Sequence, residues 1–310
     1  MDPIAVLTMN PAVDVSARVP RVEPEVKIRT ERPRRDPGGG GVNVSRALKR
    51  MGVDAPSYFP AGGPAGDLLE QLLEGEGVST VRIPIDDATR ESFTFDEEDG
   101  DRQYRFVMPG PELREDECET VLELLAEADP RPSWLVASGS LPPGVPSDFY
   151  ARLARHAREH DARLVLDTSG PALREALEEG VYLVKPNARE LGEAVGRDIG
   201  DEGEQEEAAR ALLENGAAEI VVVSLGPSGA LAVTKDSCMR IRSPSVRPRS
   251  RVGAGDSTVA GIVRGLARGD DLASAVKLGV AAGAAAVMTP GTELCEAAEV
   301  ERLYQQLRED

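Results

Sequence analysis

Cysteine is scarce in this 310-residue chain: only Cys118, Cys238 and Cys295, far apart and odd in number. They give neither a zinc spacing nor a disulfide framework, which fits a reducing compartment. Long apolar runs are missing as well. None approaches the roughly 18 residues of a membrane helix, although 41% of the chain is hydrophobic. The opening MDPIAVLTMNP has no basic segment and no small-residue cleavage site. No secretory signal is therefore expected, and a cytoplasmic location is. Lysine is rare too: of 36 basic residues only Lys27, Lys49, Lys185, Lys235 and Lys277 are lysine, against 54 acidic residues. The net charge is −18 and the pI about 4.7. Such a chain offers no broad basic face, which argues against a nucleic-acid partner. Acidic excess, few lysines and only 4% aromatics together suit a cytosol of high salt, where self-repulsion is screened. An acidic protein of an ordinary cytosol is the plainer alternative.

What is present is glycine in two telling places. Residues 250–265 read SRVGAGDSTVAGIVRG: bare backbone at Gly253, Ala254 and Gly255, then Asp256, then an apolar-periodic run. That pattern predicts a loop turning sharply into a helix. A helix N-terminus leaves N–H groups unpaired at the positive end of the dipole, and glycine lets an anion approach them. A carboxylate there suits a general base beside a phosphoryl group, or simply a helix cap. Gly38, Gly39, Gly40 and Gly41 form the second place, ahead of Val44, Leu48 and Met51 at helical spacing. Asn43, in that helix's first turn, can bind a sugar hydroxyl or cap. The run lacks the Gly-Lys-Ser/Thr ending of a P-loop.

The remaining chain alternates strand and helix. Strands are expected at residues 4–9, 57–61, 78–85, 134–138, 164–167, 182–185 and 220–225. Helices are expected at 122–128, 149–157, 202–215 and 272–288, with Leu68, Leu69, Leu72 and Leu73 the buried stripe of another. Residues 91–95 and 103–108 flank Asp99-Gly100 with Phe93, Phe95, Tyr104 and Phe106 spaced by two, a hairpin signal. This βα order implies one doubly wound, mostly parallel sheet. The hairpin and the arginine-rich, poorly periodic residues 18–36 would form a small β-sheet lid from about 12–36 and 90–108, within a single domain. Asn10-Pro11-Ala12-Val13-Asp14 turns out of the first strand, so Asp14 is a candidate for sugar hydroxyls or an ordinary turn residue. Arg90 and Arg105 could clamp a phosphate or lie on the surface. His156 and His160 stand four apart, but without a third ligand nearby they read as helix-surface histidines. The helix at 272–288 is rich in Ala and Gly and can pack closely on a flat ligand or another helix.

Taken together these residues resemble the ribokinase-like (PfkB) family of carbohydrate kinases over nearly the whole chain. The resemblance rests on Val252-Gly253-Ala254-Gly255-Asp256-Ser257, on the four glycines with Val42-Asn43-Val44, and on Asn187-Ala188-Arg189-Glu190. Within the family the stretches 10–14, 104–110 and 138–144 look like those of phosphosugar kinases. Gly40 points to the branch of minor bacterial 6-phosphofructokinases. The 1-phosphofructokinases and tagatose-6-phosphate kinases usually carry lysine there, and they are the alternative; a silent sugar-phosphate sensor is a further one.

The resemblance implies phosphorylation of fructose 6-phosphate at C1 by ATP. Asp256 would be the base, and residues 253–256 the anion hole. Asp14, Gly38, Gly39, Gly40, Asn43, Ser138 and Gly139 would hold the sugar. Arg90 and Arg105 would take its phosphate, with Lys27 and Arg29 reaching from the lid, across a homodimer formed through it. Lys185, Asn187, Ser224, Gly226, Gly229 and Gly283 would line ATP, and Glu190 would help order Mg²⁺. Ser250, Val252, Ala286, Thr289 and Gly291 would hold K⁺, mainly through backbone oxygens.

Overall fold

The computed structural model describes residues 1–97 and 102–309; the turn expected at Asp99-Gly100 lies outside the described residues. The chain runs β1 (Ile4–Leu7), β2 (Ala12–Val19), β3 (Arg34–Gly38), α1 (Gly40–Arg50), β4 (Ser57–Ala61), α2 (Gly63–Gly75) and β5 (Thr80–Pro84). The hairpin strands β6 (Arg90–Glu97) and β7 (Gln103–Phe106) follow, then α3 (Glu115–Ala126), β8 (Trp134–Ser138), α4 (Phe149–Glu159), β9 (Arg163–Asp167), α5 (Gly170–Glu179), β10 (Val181–Val184) and α6 (Ala188–Val195). The last part is α7 (Glu202–Glu214), β11 (Ala218–Ser224), β12 (Ala230–Thr234), β13 (Cys238–Ile241), α8 (Ala254–Arg268), α9 (Leu272–Val287) and α10 (Ala297–Glu309).

Nine strands form one sheet in the order β13-β12-β11-β10-β9-β8-β1-β4-β5. It is parallel except where β12 runs against β11 and β13. The doubly wound, mostly parallel sheet is thus present, and its period-two strands divide the apolar residues between two faces. Ile4 and Val6 of β1, and Ile220 and Val222 of β11, pack beneath α1, α8, α9 and α10. Ala5, Leu7, Val221 and Val223 pack on the opposite face with α3, α4, α5, α6 and α7. From β1 the chain winds outward to β4 and β5, then returns on the other side of β1 to β8, β9, β10 and β11. The strand order therefore reverses between β1 and β8. Open α/β sheets bind ligands at the carboxyl ends of the strands beside such a switch.

A second sheet, β3-β2-β6-β7, stands over that edge. Val13 and Val15 of β2 and Phe93 of β6 pack against Leu69 and Leu73 of α2. Of the expected leucine stripe these two are fully buried, whereas Leu68 and Leu72 are only partly covered.

Several local expectations are corrected. Asp14 lies within β2, paired with Asp36 and Ser92, rather than in a turn. The poorly periodic segment after residue 18 does enter the expected small sheet, through β3, whose pairing comes from β2 and not from its own pattern. Helix α3 begins at Glu115, seven residues before the expected start at 122, because its acidic first turn suits the helix N-terminus. Three helices (α5, α6, α10) and the antiparallel pair β12–β13 go unread in the sequence pattern. Gly283 is buried in the α8–α9 contact, where a Cβ would sit 2.3 Å from Thr258 Oγ1. Gly261 and Gly279 meet backbone to backbone in the same way. The small residues of α9 thus serve helix packing at these positions.

Candidate active site

The carboxyl ends of β1, β8, β9, β10 and β11 carry Asn10, Ser138, Asp167, Lys185 and Ser224 on or just beyond the strands. Facing them, α1 and α8 begin with glycine-rich turns. Gly39 has φ 107°, and Gly253 has φ 73° as the residue before α8. Both lie in the left-handed region that favours glycine. Gly40 has no room for a side chain: a Cβ would lie 2.5 Å from Ser138 Oγ and 2.9 Å from Gly139 N. At Gly38 a Cβ would overlap the Asp14 carboxylate, 2.3 Å from its oxygen. The glycines therefore let α1 approach both β8 and the second sheet.

A cavity of about 270 Å³, partly open to solvent, is lined by Asp14, Gly39, Gly40, Asn43, Arg90, Arg105, Val252, Gly253, Asp256 and Gly291. Ser16, Ser92, Thr94, Asp96 and Gln103 form the wall on the second sheet. Volume alone does not single it out, since surface grooves of about 580 and 620 Å³ lie elsewhere. Those grooves lack this convergence of glycine turns, carboxylates and arginines at the strand ends. Ser138 is buried directly beneath Gly40. Lys185 is buried with its ammonium 3.2 Å from Asp167, and a Cβ on Gly255 would be 3.8 Å from Lys185 Nζ.

Asp256 is the most perturbed carboxyl of the site. Burial and the negative charge of Asp167 push it up to about 7, against a hydrogen bond from Asn43 and the charge of Lys185. Asn43 Nδ2 donates to Asp256 Oδ2 at 2.9 Å. A carboxyl titrating near neutrality is well matched to general-base work. Asp14 is also raised by burial, opposed by Arg90, Arg105 and Arg46. Arg90 is held by backbone carbonyls: Nη2 donates to Asn10 O at 2.9 Å and Nη1 to Met108 O at 3.1 Å. Arg105 is exposed, and no side-chain partner is seen for it among the described residues.

On the other side of α8, Asn187 and Ser224 are joined by a β-bridge. Asn187 accepts from Glu190 N at 3.0 Å, and Glu190 Oε2 accepts from Asn187 N at 2.9 Å, a capping box that starts α6. Gly226 and Gly229 form the turn after β11, with φ 55° and 97°. Ser250 Oγ donates to Gly291 O at 2.7 Å, Val252 N to Ser250 Oγ at 3.2 Å, and Thr289 Oγ1 to Ala286 O at 2.7 Å. Ser250, Val252 and Gly291 are thereby linked beside Gly253, and Thr289 is tied to Ala286 at the end of α9. Lys27 and Arg29 lie apart, in the exposed coil between β2 and β3. His156 and His160 stack at 4.3 Å, and no group of three metal-ligating side chains occurs among the described residues.

Sequence reasoning missed Asp167 and Arg46. Asp167 ends an apolar strand and carries no motif. Arg46 follows Asn43 by one helical turn, the only signal that could have flagged it.

A cavity at the switch point, two helix N-termini and a near-neutral carboxyl define a phosphotransfer-type α/β site. The chain belongs to the pfkB family of carbohydrate kinases, whose sequence profile matches residues 6–299. It is 48% identical to the ATP-dependent 6-phosphofructokinase isozyme 2 of Mycobacterium tuberculosis, covering 97% of this chain and 89% of that one. It is 34% identical to the 1-phosphofructokinase of Bacillus subtilis, covering 94% and 95%. Among solved structures, Escherichia coli phosphofructokinase-2 in complex with potassium superposes with a TM-score of 0.96 at 40% identity, covering 99% and 100%. The same enzyme in complex with fructose-6-phosphate gives 0.93, and its tetrameric inhibited form 0.94.

Proposed function

We propose that this chain is an ATP-dependent 6-phosphofructokinase, transferring the γ-phosphoryl group of ATP to the C1 hydroxyl of fructose 6-phosphate. The observation that carries the reading is Asp256 at the start of α8, facing the same cavity as Arg90 and Arg105. Asp256 accepts the C1 hydroxyl proton as that oxygen bonds to the γ-phosphorus. The bond to the β,γ-bridging oxygen breaks, and ADP leaves. Backbone N–H groups of residues 253–256 face charge on the transferring group. Arg90 and Arg105 supply forked donors for the 6-phosphate, and Asp14, Asn43 and the turn at Gly38, Gly39 and Gly40 hold the hydroxyls. Ser138 and Gly139 support that turn from below.

Lys185, Asn187, Ser224, Gly226 and Gly229 line the route to ATP. The free oxygen of Glu190 fits a water-mediated role toward Mg²⁺, which when bound neutralises phosphate charge. The carbonyls of Ser250, Val252, Ala286, Thr289 and Gly291 are hard oxygen donors suited to K⁺, and the potassium complex of the E. coli relative supports that assignment.

The second reading, 1-phosphofructokinase, is favoured by the B. subtilis relative. Against it stands Gly40, which Ser138 leaves without side-chain space where such enzymes usually carry lysine. We propose a homodimer through the second sheet, where Phe106 at the end of β7 and the following Val107 and Met108 are exposed apolar residues in need of cover. Lys27 and Arg29 would then reach a phosphate only across that dimer. No helix among the described residues is long and apolar enough to cross a membrane.

A coupled ADP-release assay in molar KCl with Mg²⁺-ATP decides between substrates. Fructose 6-phosphate is expected to have the highest kcat/KM among fructose 6-phosphate, fructose 1-phosphate, tagatose 6-phosphate and fructose. Preference for fructose 1-phosphate would overturn the assignment while leaving the base in place.

A further inference from the structure

The Asn43 amide has a donating and an accepting end, and its neighbours decide which way it faces. On one side stands Arg46, one turn along α1. A guanidinium can only donate, and Arg46 Nη1 lies 3.2 Å from Asn43 Oδ1. On the other side Asp256 Oδ2 accepts from Asn43 Nδ2 at 2.9 Å. Arg46 is completely buried. Its Nε and Nη2 grip the two oxygens of Glu76 at 2.9 and 2.7 Å, and Nη1 also donates to Pro37 O at 2.9 Å, next to the glycine run. Glu76 caps the C-terminus of α2. Against its partial burial, Arg46 holds the Glu76 carboxyl below its ordinary value, so the pair stays ionised under mildly acidic conditions.

We propose that Arg46 is a positioning residue for the reaction. Anchored by Glu76, it locks the Asn43 amide so that the NH₂ end meets Asp256 Oδ2, which leaves Oδ1 to receive the substrate proton. The inference rests on the reading of Asp256 as the base and deepens it. Without Arg46 the amide is free to turn its oxygen toward the carboxylate, which repels it and binds the proton more tightly. Asp14, Asp167 and Lys185 also face Asp256, and Arg34 and Arg50 lie near Glu76. An effect through orientation must therefore be separated from one through charge alone.

The test reads the titration of Asp256 without substrate, as the pH dependence of the Tm difference between each chain and its Asp256→Asn counterpart. Four backgrounds are compared: the unaltered chain, Arg46→Gln, Asn43→Ala and the double variant. Arg46→Gln and Asn43→Ala are each expected to raise the midpoint by about half a unit to one unit, and the double variant by no more than Asn43→Ala alone. An Arg46→Gln shift that persists undiminished in the Asn43→Ala chain, or no shift at all, overturns the relay. Where Arg46→Gln does not fold, Arg46→Lys takes its place under the same criteria, since one ammonium cannot serve Glu76, Pro37 and Asn43 together. Arg82→Ala removes the ion pairs from β5 to Asp67 and Glu70 of α2 but does not reach Asn43. It is expected to lower Tm with the midpoint unmoved; a moved midpoint means the shift merely tracks lost stability and overturns the proposal. A chain inactive on every sugar but with a non-additive cycle would sink the proposed function and leave the relay standing.

Discussion

Replacing Asp256 by Asn should make the protein more stable while abolishing its proposed chemistry. In the folded chain the Asp256 carboxyl is raised from 3.8 to about 7. Between those values the folded state binds a proton that the unfolded state releases. This group's contribution to stability is therefore complete below about pH 4 and is lost as pH rises through about 7. A shift of that size corresponds to at most about 4 kcal/mol. The carboxyl faces a cavity open to water, so on the order of 2 kcal/mol is the realistic expectation above pH 7. Asn keeps the volume and can still accept from Asn43 Nδ2, so packing is little changed. For a chain of this length the gain is a rise in Tm of about 3 °C. Differential scanning calorimetry of both chains from about pH 4 to pH 9 measures it. The Asn chain should match the unaltered one at the acid end and pull ahead through neutrality. An Asn chain that is never more stable, or equally favoured at every pH, would show that Asp256 is not held at a cost and that the electrostatic account of the base is wrong. Turnover by the same variant should fall about 10²-fold to 10⁴-fold.

Four other expectations follow, three from the site and one from the net charge. Arg105→Ala should raise KM for fructose 6-phosphate about tenfold to a hundredfold with Tm almost unchanged, whereas Arg90→Ala, which also strips donors from the Asn10 and Met108 carbonyls, should raise KM and lower Tm together; steady-state kinetics beside thermal melts distinguish them. Gly40→Ala places a methyl against Ser138 Oγ and Gly139 N and should destabilise by about 1–3 kcal/mol while weakening sugar binding, seen by urea denaturation and substrate titration; a neutral effect would mean the turn has slack. With −18 net charge, Tm should rise steadily between about 0.1 M and 2 M KCl, and a flat or falling curve would leave the acidic surface unconnected to salt.

Much of this protein was legible because it is local. A glycine that must take positive φ before a helix, as at Gly39 and Gly253, announces itself in sequence. Apolar period alone placed β4 and β8 at their observed bounds. The two glycine-rich turns and the carboxylate after the second were enough to expect an anion site. Less legible were elements whose reason lies elsewhere in the chain. β3 reads RRDPG and is a strand only because β2 offers it a partner. Asp14 looked like a turn residue until the second sheet gave it neighbours on both sides. Gly283, set by the resemblance among the ATP contacts, packs its backbone against Thr258 of α8, a closeness that no local pattern announces.

The chemistry of the site divides along the same line. Sequence by itself determined which residue types were available and where helices could begin, since backbone sterics and capping act over a few residues. Only the tertiary structure brought Asn43 to Asp256 across 213 residues and Arg46 to Glu76 across 30. It also set Lys185 beside Asp167. Charge, burial and hydrogen-bond direction at Asp256 are properties of that convergence. They depend on distances of a few ångströms between elements that share no local pattern, and no reading of neighbours along the chain contains them.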